Sequence, residues 1–262
     1  MHLCASNIGW KASDDAAVFE LMKKYSYSGL EFAPSRIFGL SPYDRLKEVR
    51  EWKEWIKKEY GFILPSMQSV WFGRKERLFG TRREREVLYH YTKKAIDFAA
   101  SVGCRNIVFG CPVNRNMPEG ADPDEAVCFF RELGEYARTK GTVIGMEANP
   151  VIYHTNYITD TAAALRLVRK ADSEGFRLNL DTGTMIQNKE SAGVLEGSVH
   201  LVSHVHISEP GLEPVKERVL HKELLHLLVK EGYRGYISVE QKAAGELLEM
   251  EKVLGYVSSV FL

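Results

Sequence analysis

The sequence predicts one α/β domain, a single (β/α)8 TIM barrel over residues 1–262, and three observations carry that prediction. Short apolar runs alternate with longer amphipathic segments almost from end to end, the pattern of parallel strands joined by crossover helices. The length of 262 residues is close to the ~250 typical of one such barrel. No Pro/Ser-rich linker divides the chain, and the glycine fingerprint of a dinucleotide-binding doubly wound sheet does not follow the first strand.

In chain order, strands are expected near 2–8, 28–32, 62–67, 105–110, 142–147, 176–181, 203–208 and 236–240. Helices are expected near 14–26, 43–60, 84–102, 123–140, 159–172, 189–199, 215–231 and 243–259. Ser13-Asp14-Asp15 can cap the first helix, and Asp122-Pro123 supplies a cap and first turn to the fourth. Gly61, Gly103, Gly141, Gly175 and Gly232 each stand between a helical stretch and a strand, where a left-handed C-terminal glycine belongs.

Hydrophobic residues make up 45% of the chain and charged residues 27%, the balance of an ordinary globular protein. The 35 basic and 35 acidic residues cancel, which disfavours a nucleic-acid partner. No window approaches the ~18 uninterrupted apolar residues of a membrane span, and no basic region leads an apolar stretch at the N-terminus. The four cysteines form no CxxC pair and suit a reducing compartment, so a cytoplasmic location is expected.

Strand alternation is the most informative feature. Leu178 and Leu180 oppose Asn179 and Asp181; Val205 and Ile207 oppose His204, His206 and Ser208; Ile237 and Val239 oppose Tyr236, Ser238 and Glu240; Ile144 and Met146 oppose Gly145 and Glu147. The apolar sets must face the helices, so the polar sets point into the barrel, where unpaired charge is costly. Glu147, Asp181, His206 and Glu240 also end four consecutive strands, at the barrel end that carries active sites. Three carboxylates converging alone would repel one another, and a divalent cation resolves the conflict. These four are therefore the expected ligands of one metal ion. The oxygen-rich set points to manganese first, with magnesium or cobalt next and tetrahedral zinc less suited. Taken singly, Asp181-Thr182-Gly183 reads equally as a helix cap, and a lone strand histidine as a core residue.

The ordered series Glu147 in GMEANP, Asp181 in LNLDTG, His206 in HVHIS and Glu240 in ISVEQK resembles the sugar phosphate isomerase/epimerase family of xylose isomerase-like barrels. That group includes D-tagatose and D-psicose 3-epimerases, and endonuclease IV shares the superfamily. The resemblance covers essentially the whole chain. It implies that all four residues bind the metal and that Glu147 and Glu240 form a catalytic acid/base pair. The implied reaction is proton abstraction next to a carbonyl through an enediolate, giving epimerisation or isomerisation of a small sugar or polyol. The sequence departs from the ketose 3-epimerase pattern at three positions that contact substrate there. Thr184 replaces a histidine, Tyr153 an acidic residue and Leu212 an arginine. Endonuclease IV would need further histidine ligands and a basic DNA face. Two rivals share the barrel: a keto-inositol dehydratase, which begins with the same abstraction, and a non-catalytic sugar-binding barrel.

Further candidates rest on position alone. Trp71 could stack on a sugar with Phe72, and Asn149 and Lys242, each two residues past a catalytic glutamate, could reach substrate. Glu31 points inward and could orient a ligand; Glu209 faces solvent or substrate; His221 and His226 belong to an amphipathic helix. The segment 68–81 exceeds the ~2–6 residues usual for a strand-to-helix loop, and reads as an aromatic lid over an unphosphorylated substrate.

Overall fold

The computed structural model describes residues 1–243 and 246–262. Eight parallel strands form its centre: β1 (His2–Ser6), β2 (Gly29–Glu31), β3 (Ser66–Met67), β4 (Asn106–Phe109), β5 (Val143–Glu147), β6 (Phe176–Asp181), β7 (Val202–Ile207) and β8 (Tyr236–Val239). They are hydrogen-bonded in the order β2-β1-β8-β7-β6-β5-β4-β3. Bridges between Gly29 and Ile63 and between Phe32 and Met67 join the two ends, so the sheet curls into a nearly closed barrel. Every expected strand is present, and β3 is the most shortened. Pro65 has no N–H to give its neighbour, and its carbonyl instead accepts from the Arg105 and Asn106 amides at 3.2 and 3.1 Å.

The helices are α1 (Asp15–Lys24), α2 (Pro34–Phe38), α3 (Leu46–Tyr60), α4 (Arg82–Ser101), α5 (Asp124–Thr139), α6 (Thr161–Ala171), α7 (Thr182–Asn188), α8 (Val219–Lys230) and α9 (Leu247–Phe261). Two depart from the sequence reading. The short α2, opened by Pro34 at its first turn, was not expected. The helix expected at 189–199 is replaced by α7, which begins directly after β6 and ends where Lys189 turns left-handed. Residues 192–195 and 199–201 are single 3-10 turns, because Gly193 and a left-handed Gly197 weaken a continuous helix. The helix expected to begin near 243 is resolved from Leu247; positions 244 and 245 lie outside the described residues.

The barrel's outward faces behave as the alternation requires. Leu178, Leu180, Val205, Ile207, Ile237 and Val239 are buried under the helices, and Phe130 of α5 stacks on Phe176 with ring centroids 4.9 Å apart. Of the glycines expected to turn left-handed, Gly61, Gly103, Gly141 and Gly232 do so, and Gly175 does not. The left-handed residue at the end of α6 is Asp172. Gly175 is required for a different reason: a Cβ there would lie 1.9 Å from the Gly134 carbonyl oxygen of α5. Helix and strand touch backbone to backbone at this point. Gly175→Ala is therefore expected to cost about 1–3 kcal/mol, read as a lower urea midpoint at unchanged slope. The exposed Cys128→Ser should stay within about 0.5 kcal/mol of the parent.

Candidate metal centre

Each polar side chain at the mouth of the barrel is placed by the strand that ends there. Glu147 closes β5, Asp181 closes β6, His206 lies one residue from the end of β7, and Glu240 directly follows β8. Parallel registry puts Asp181 beside His206 and His206 beside Ser238. One ligand atom from each of Glu147, Asp181, His206 and Glu240 lies within 4.8 Å of the others, and all four residues are buried. The structure thus brings together the four residues that the sequence singled out.

The histidine is the key to what the cluster can hold. Its Nε2 lies 3.1 Å from Glu31 Oε2, which favours the tautomer with the proton on Nε2 and leaves the Nδ1 lone pair facing the other ligands. Glu147 Oε1 and Glu240 Oε2 lie 2.9 and 3.0 Å from Nδ1, yet this buried nitrogen has no hydrogen bond of acceptable geometry. A lone pair aimed at carboxylate oxygens is repulsive, so Nδ1 needs either a proton of its own or a cation among these groups. Burial opposes charge on His206, but Glu240 and Glu31 outweigh it and raise its pKa well above the usual imidazole value. Burial, with Glu147 adding to it, pushes Glu240 up to about 7 and Asp181 up to about 6. These are the responses of a site that lacks positive charge, and three carboxylates with one imidazole suit a hard divalent ion.

The surrounding residues fix each ligand's orientation. Asp181 is at once a candidate ligand and the N-cap of α7, its Oδ1 accepting from the Thr184 amide at 2.6 Å; its Oδ2 accepts from the Ser208 hydroxyl. The capping and metal readings are therefore compatible. Glu147 accepts from Asn149 Nδ2 at 3.0 Å and Asn179 Nδ2 at 3.1 Å. Glu240 accepts from Gln68 Nε2 at 3.0 Å, an amide also 3.1 Å from Glu31. Gly110 leaves the space that Glu147 fills, since a Cβ there would stand 2.8 Å from Glu147 Oε2.

Arg115, on a turn after β4, is fully buried. It donates to the Glu147 carbonyl at 2.8 Å, to Asn149 Oδ1 at 2.9 Å and to the Ile158 carbonyl at 3.2 Å. Burial lowers its pKa to about 10, still far above neutrality. By taking Oδ1 of Asn149, Arg115 leaves Nδ2 to face Glu147. Sequence reasoning missed both Arg115 and Gln68. Gln68 carried a weak signal as the first residue past β3, whereas a lone arginine in a loop carries none.

The remaining candidates are placed as follows. A cavity of about 180 Å³ opens over the cluster, and Asn149, Tyr153 and Leu212 line it with the three carboxylates. Trp71 does not reach it: its indole is buried, donates to Thr92 Oγ1 at 2.8 Å and packs edge-on against Phe109. Phe72 points to solvent. The expected aromatic stack is thus absent, because the indole gains more buried area and a hydrogen bond beneath the loop. The 68–81 loop is fastened through Asn114, which donates to the Arg74 and Glu76 carbonyls at 3.1 and 2.9 Å. Lys242 also lies off the cavity, exposed and paired with Glu213. Glu209 is buried and held by Arg218 at 2.9 and 2.6 Å. Glu31 holds His206, while His221 bonds Tyr256 at 2.9 Å in the helical layer and His226 is exposed there.

Comparison with known proteins agrees with this architecture. The structure is similar to 3-keto-D-glucoside 4-epimerase from E. coli, with TM-score 0.77 and 18% identity over 99% of each chain. It is also similar to D-psicose 3-epimerase from Clostridium cellulolyticum H10, with TM-score 0.79 and 15% identity over 100% of this chain and 99% of that one. A family 2 AP endonuclease from Brucella melitensis superposes with TM-score 0.73 and 20% identity over 99% of both chains. Likeness at these identities establishes the fold and leaves the reaction to the site. No curated protein matches the chain in sequence. The sequence model of the xylose isomerase-like TIM barrel matches residues 19–256, and the chain belongs to that family.

Proposed function

We propose that the chain is a divalent-metal-dependent sugar epimerase or isomerase that moves a proton next to a carbonyl. The observation that carries this reading is the buried cluster of Glu147, Asp181, Glu240 and His206, whose unpartnered Nδ1 faces carboxylates. When bound by these four residues, a divalent ion would supply Lewis acidity to a carbonyl and its neighbouring hydroxyl. Glu147 and Glu240 take and return the proton. Two amides hold Glu147 and one holds Glu240, so the two carboxylates enter the reaction in different environments. The cavity is smaller than the ~300–1,000 Å³ of drug-sized ligand sites, which suits a small sugar or polyol. Arg74 is occupied by Glu76, which supports an unphosphorylated substrate. The epimerases among the structural neighbours favour the same chemistry.

Solvent-deuterium exchange into ketoses and keto-inositols tests the shared first step. Exchange with interconversion supports the proposal, exchange followed by loss of water marks a dehydratase, and binding without exchange marks a non-catalytic barrel. Glu147→Gln and Glu240→Gln should each slow exchange by about 10²–10⁴, and parental rates in both variants would move the proton transfer elsewhere. Asp181→Asn and His206→Ala should weaken binding of Mn²⁺ while the far-ultraviolet circular dichroism is retained.

The metal must displace protons, which fixes a pH dependence. Glu240 and Asp181 hold protons up to about pH 7 and 6 in the metal-free fold, above their ordinary carboxylate values. Their contribution to metal-free stability is therefore present at low pH and lost as pH rises through about 6–7. Mn²⁺ affinity should run the opposite way, strengthening as pH rises through about 6–7 and further as His206, whose pKa is raised well above the usual imidazole value, gives up its proton. Calorimetry in buffers of different ionisation heat should detect the released protons; a pH-independent affinity would contradict this account.

Arg115→Met and Asn149→Leu should each weaken Mn²⁺ binding by about 10–100-fold, the scale of losses when a ligand's supporting hydrogen bonds are removed. Unchanged affinity in Asn149→Leu, with turnover alone impaired, would instead assign Asn149 to substrate contact.

A further inference from the structure

The opposite mouth of the barrel holds a second cavity, of about 600 Å³, at the N-terminal ends of the strands. Four cationic side chains line it: Lys53 and Lys57 from α3, Arg105 before β4 and Arg234 before β8, and no carboxylate shares the lining. Lys53 and Lys57 are four residues apart on one helical face, where like charges repel. The Lys53 side chain is only 33% exposed, against 83% for Lys58 on the same helix. Its one acidic neighbour, Glu54, is 3.6 Å away, and among the described residues Lys57, Arg105 and Arg234 form no ion pair. In a chain whose charges cancel, four cations around one hollow whose lining holds no carboxylate are a local surplus. On another wall the His2 ring stacks on Tyr236, with centroids 5.1 Å apart and planes at 28°, and both residues line the cavity. The volume falls within the ~300–1,000 Å³ usual for small-molecule sites.

We propose that this cavity is a second ligand site, for a nucleoside phosphate carrying at least two negative charges. The cations meet the phosphates, and the His2–Tyr236 pair offers a flat face to the base. The site uses none of the metal-cluster residues, so it stands or falls independently of the proposed reaction.

Calorimetric titration of the metal-free protein in EDTA with ADP, pyrophosphate and adenosine, each alone, tests the assignment. ADP is expected to bind saturably and more tightly than pyrophosphate, adenosine to bind at least tenfold more weakly than ADP, and added salt to weaken ADP. Lys57→Glu combined with Arg234→Glu should weaken ADP at least tenfold. The neutral pair Lys57→Gln and Arg234→Gln should do so in the same direction if the reversed pair fails to fold. Asp181→Asn should leave ADP binding unchanged. Absence of saturable ADP binding, or ADP binding indifferent to the charge changes, would overturn the proposal. Pyrophosphate binding as tightly as ADP would overturn its nucleoside part.

Discussion

Three carboxylates and an imidazole are buried within a few ångströms of one another, and their mutual repulsion is the constraint on which the upper end of this barrel depends. Two things can relieve it: protons on the carboxylates and on His206, or a divalent cation among them. The fold accommodates both, since the raised pKa values of Glu240, Asp181 and His206 are proton-based relief of the same charge deficit. The Nδ1 of His206, 2.9 and 3.0 Å from Glu147 and Glu240 without a well-aligned hydrogen bond, fits either form of relief.

Around that cluster the barrel interior is organised in layers. Glu31 holds His206 from below, and His204 in turn lies 3.2 Å from Glu31 and 2.7 Å from Ser238. Gln68 ties Glu31 to Glu240, and Asn106 joins the network at Glu147 by donating to Asn179 Oδ1 at 3.4 Å. Nearly every inward polar atom has a partner, as a buried network must if it is to hold a unique geometry. Arg115 adds a buried positive charge behind Glu147 that no carboxylate neutralises directly. Its long-range attraction and its hold on the Asn149 amide act on Glu147 and not on Glu240, which separates the environments of two otherwise similar carboxylates.

Asp181 links the site to the stability of the fold. Its side chain caps α7, and the same carboxylate faces the cluster. The Thr182 hydroxyl cross-braces the ends of β6 and β7, accepting from the Ser208 amide at 2.8 Å and donating to the Ser208 carbonyl at 3.0 Å. The Asp181 carboxylate is thus held on rigid elements, where small displacements matter most. The 68–81 loop follows the same logic: Trp71, Leu78 and Asn114 fasten it, so the cavity wall is built from packed groups.

The sequence by itself determined the eight strands, their parallel order of faces and the four residues that converge at the strand ends. These follow from local rules: alternation of two along a strand decides which side chains face inward, and position along the strand decides which end they reach. It determined less where the local signal served two purposes. Gly175 looked like a left-handed cap because it follows a helix, but Asp172 had already made that turn, and the glycine answers to a contact with Gly134 of α5, 41 residues earlier in the chain. The helix read at 189–199 had the right apolar spacing, yet Asp181 started α7 sooner. Trp71, Lys242 and Asn149 were equivalent in sequence, each a few residues past a strand. Only tertiary packing separated them, because the direction of a loop side chain depends on distant partners: Thr92 took the indole, Glu213 the lysine and Arg115 the asparagine. Arg115 itself was invisible for the same reason, since its role is defined by backbone carbonyls more than 30 residues away.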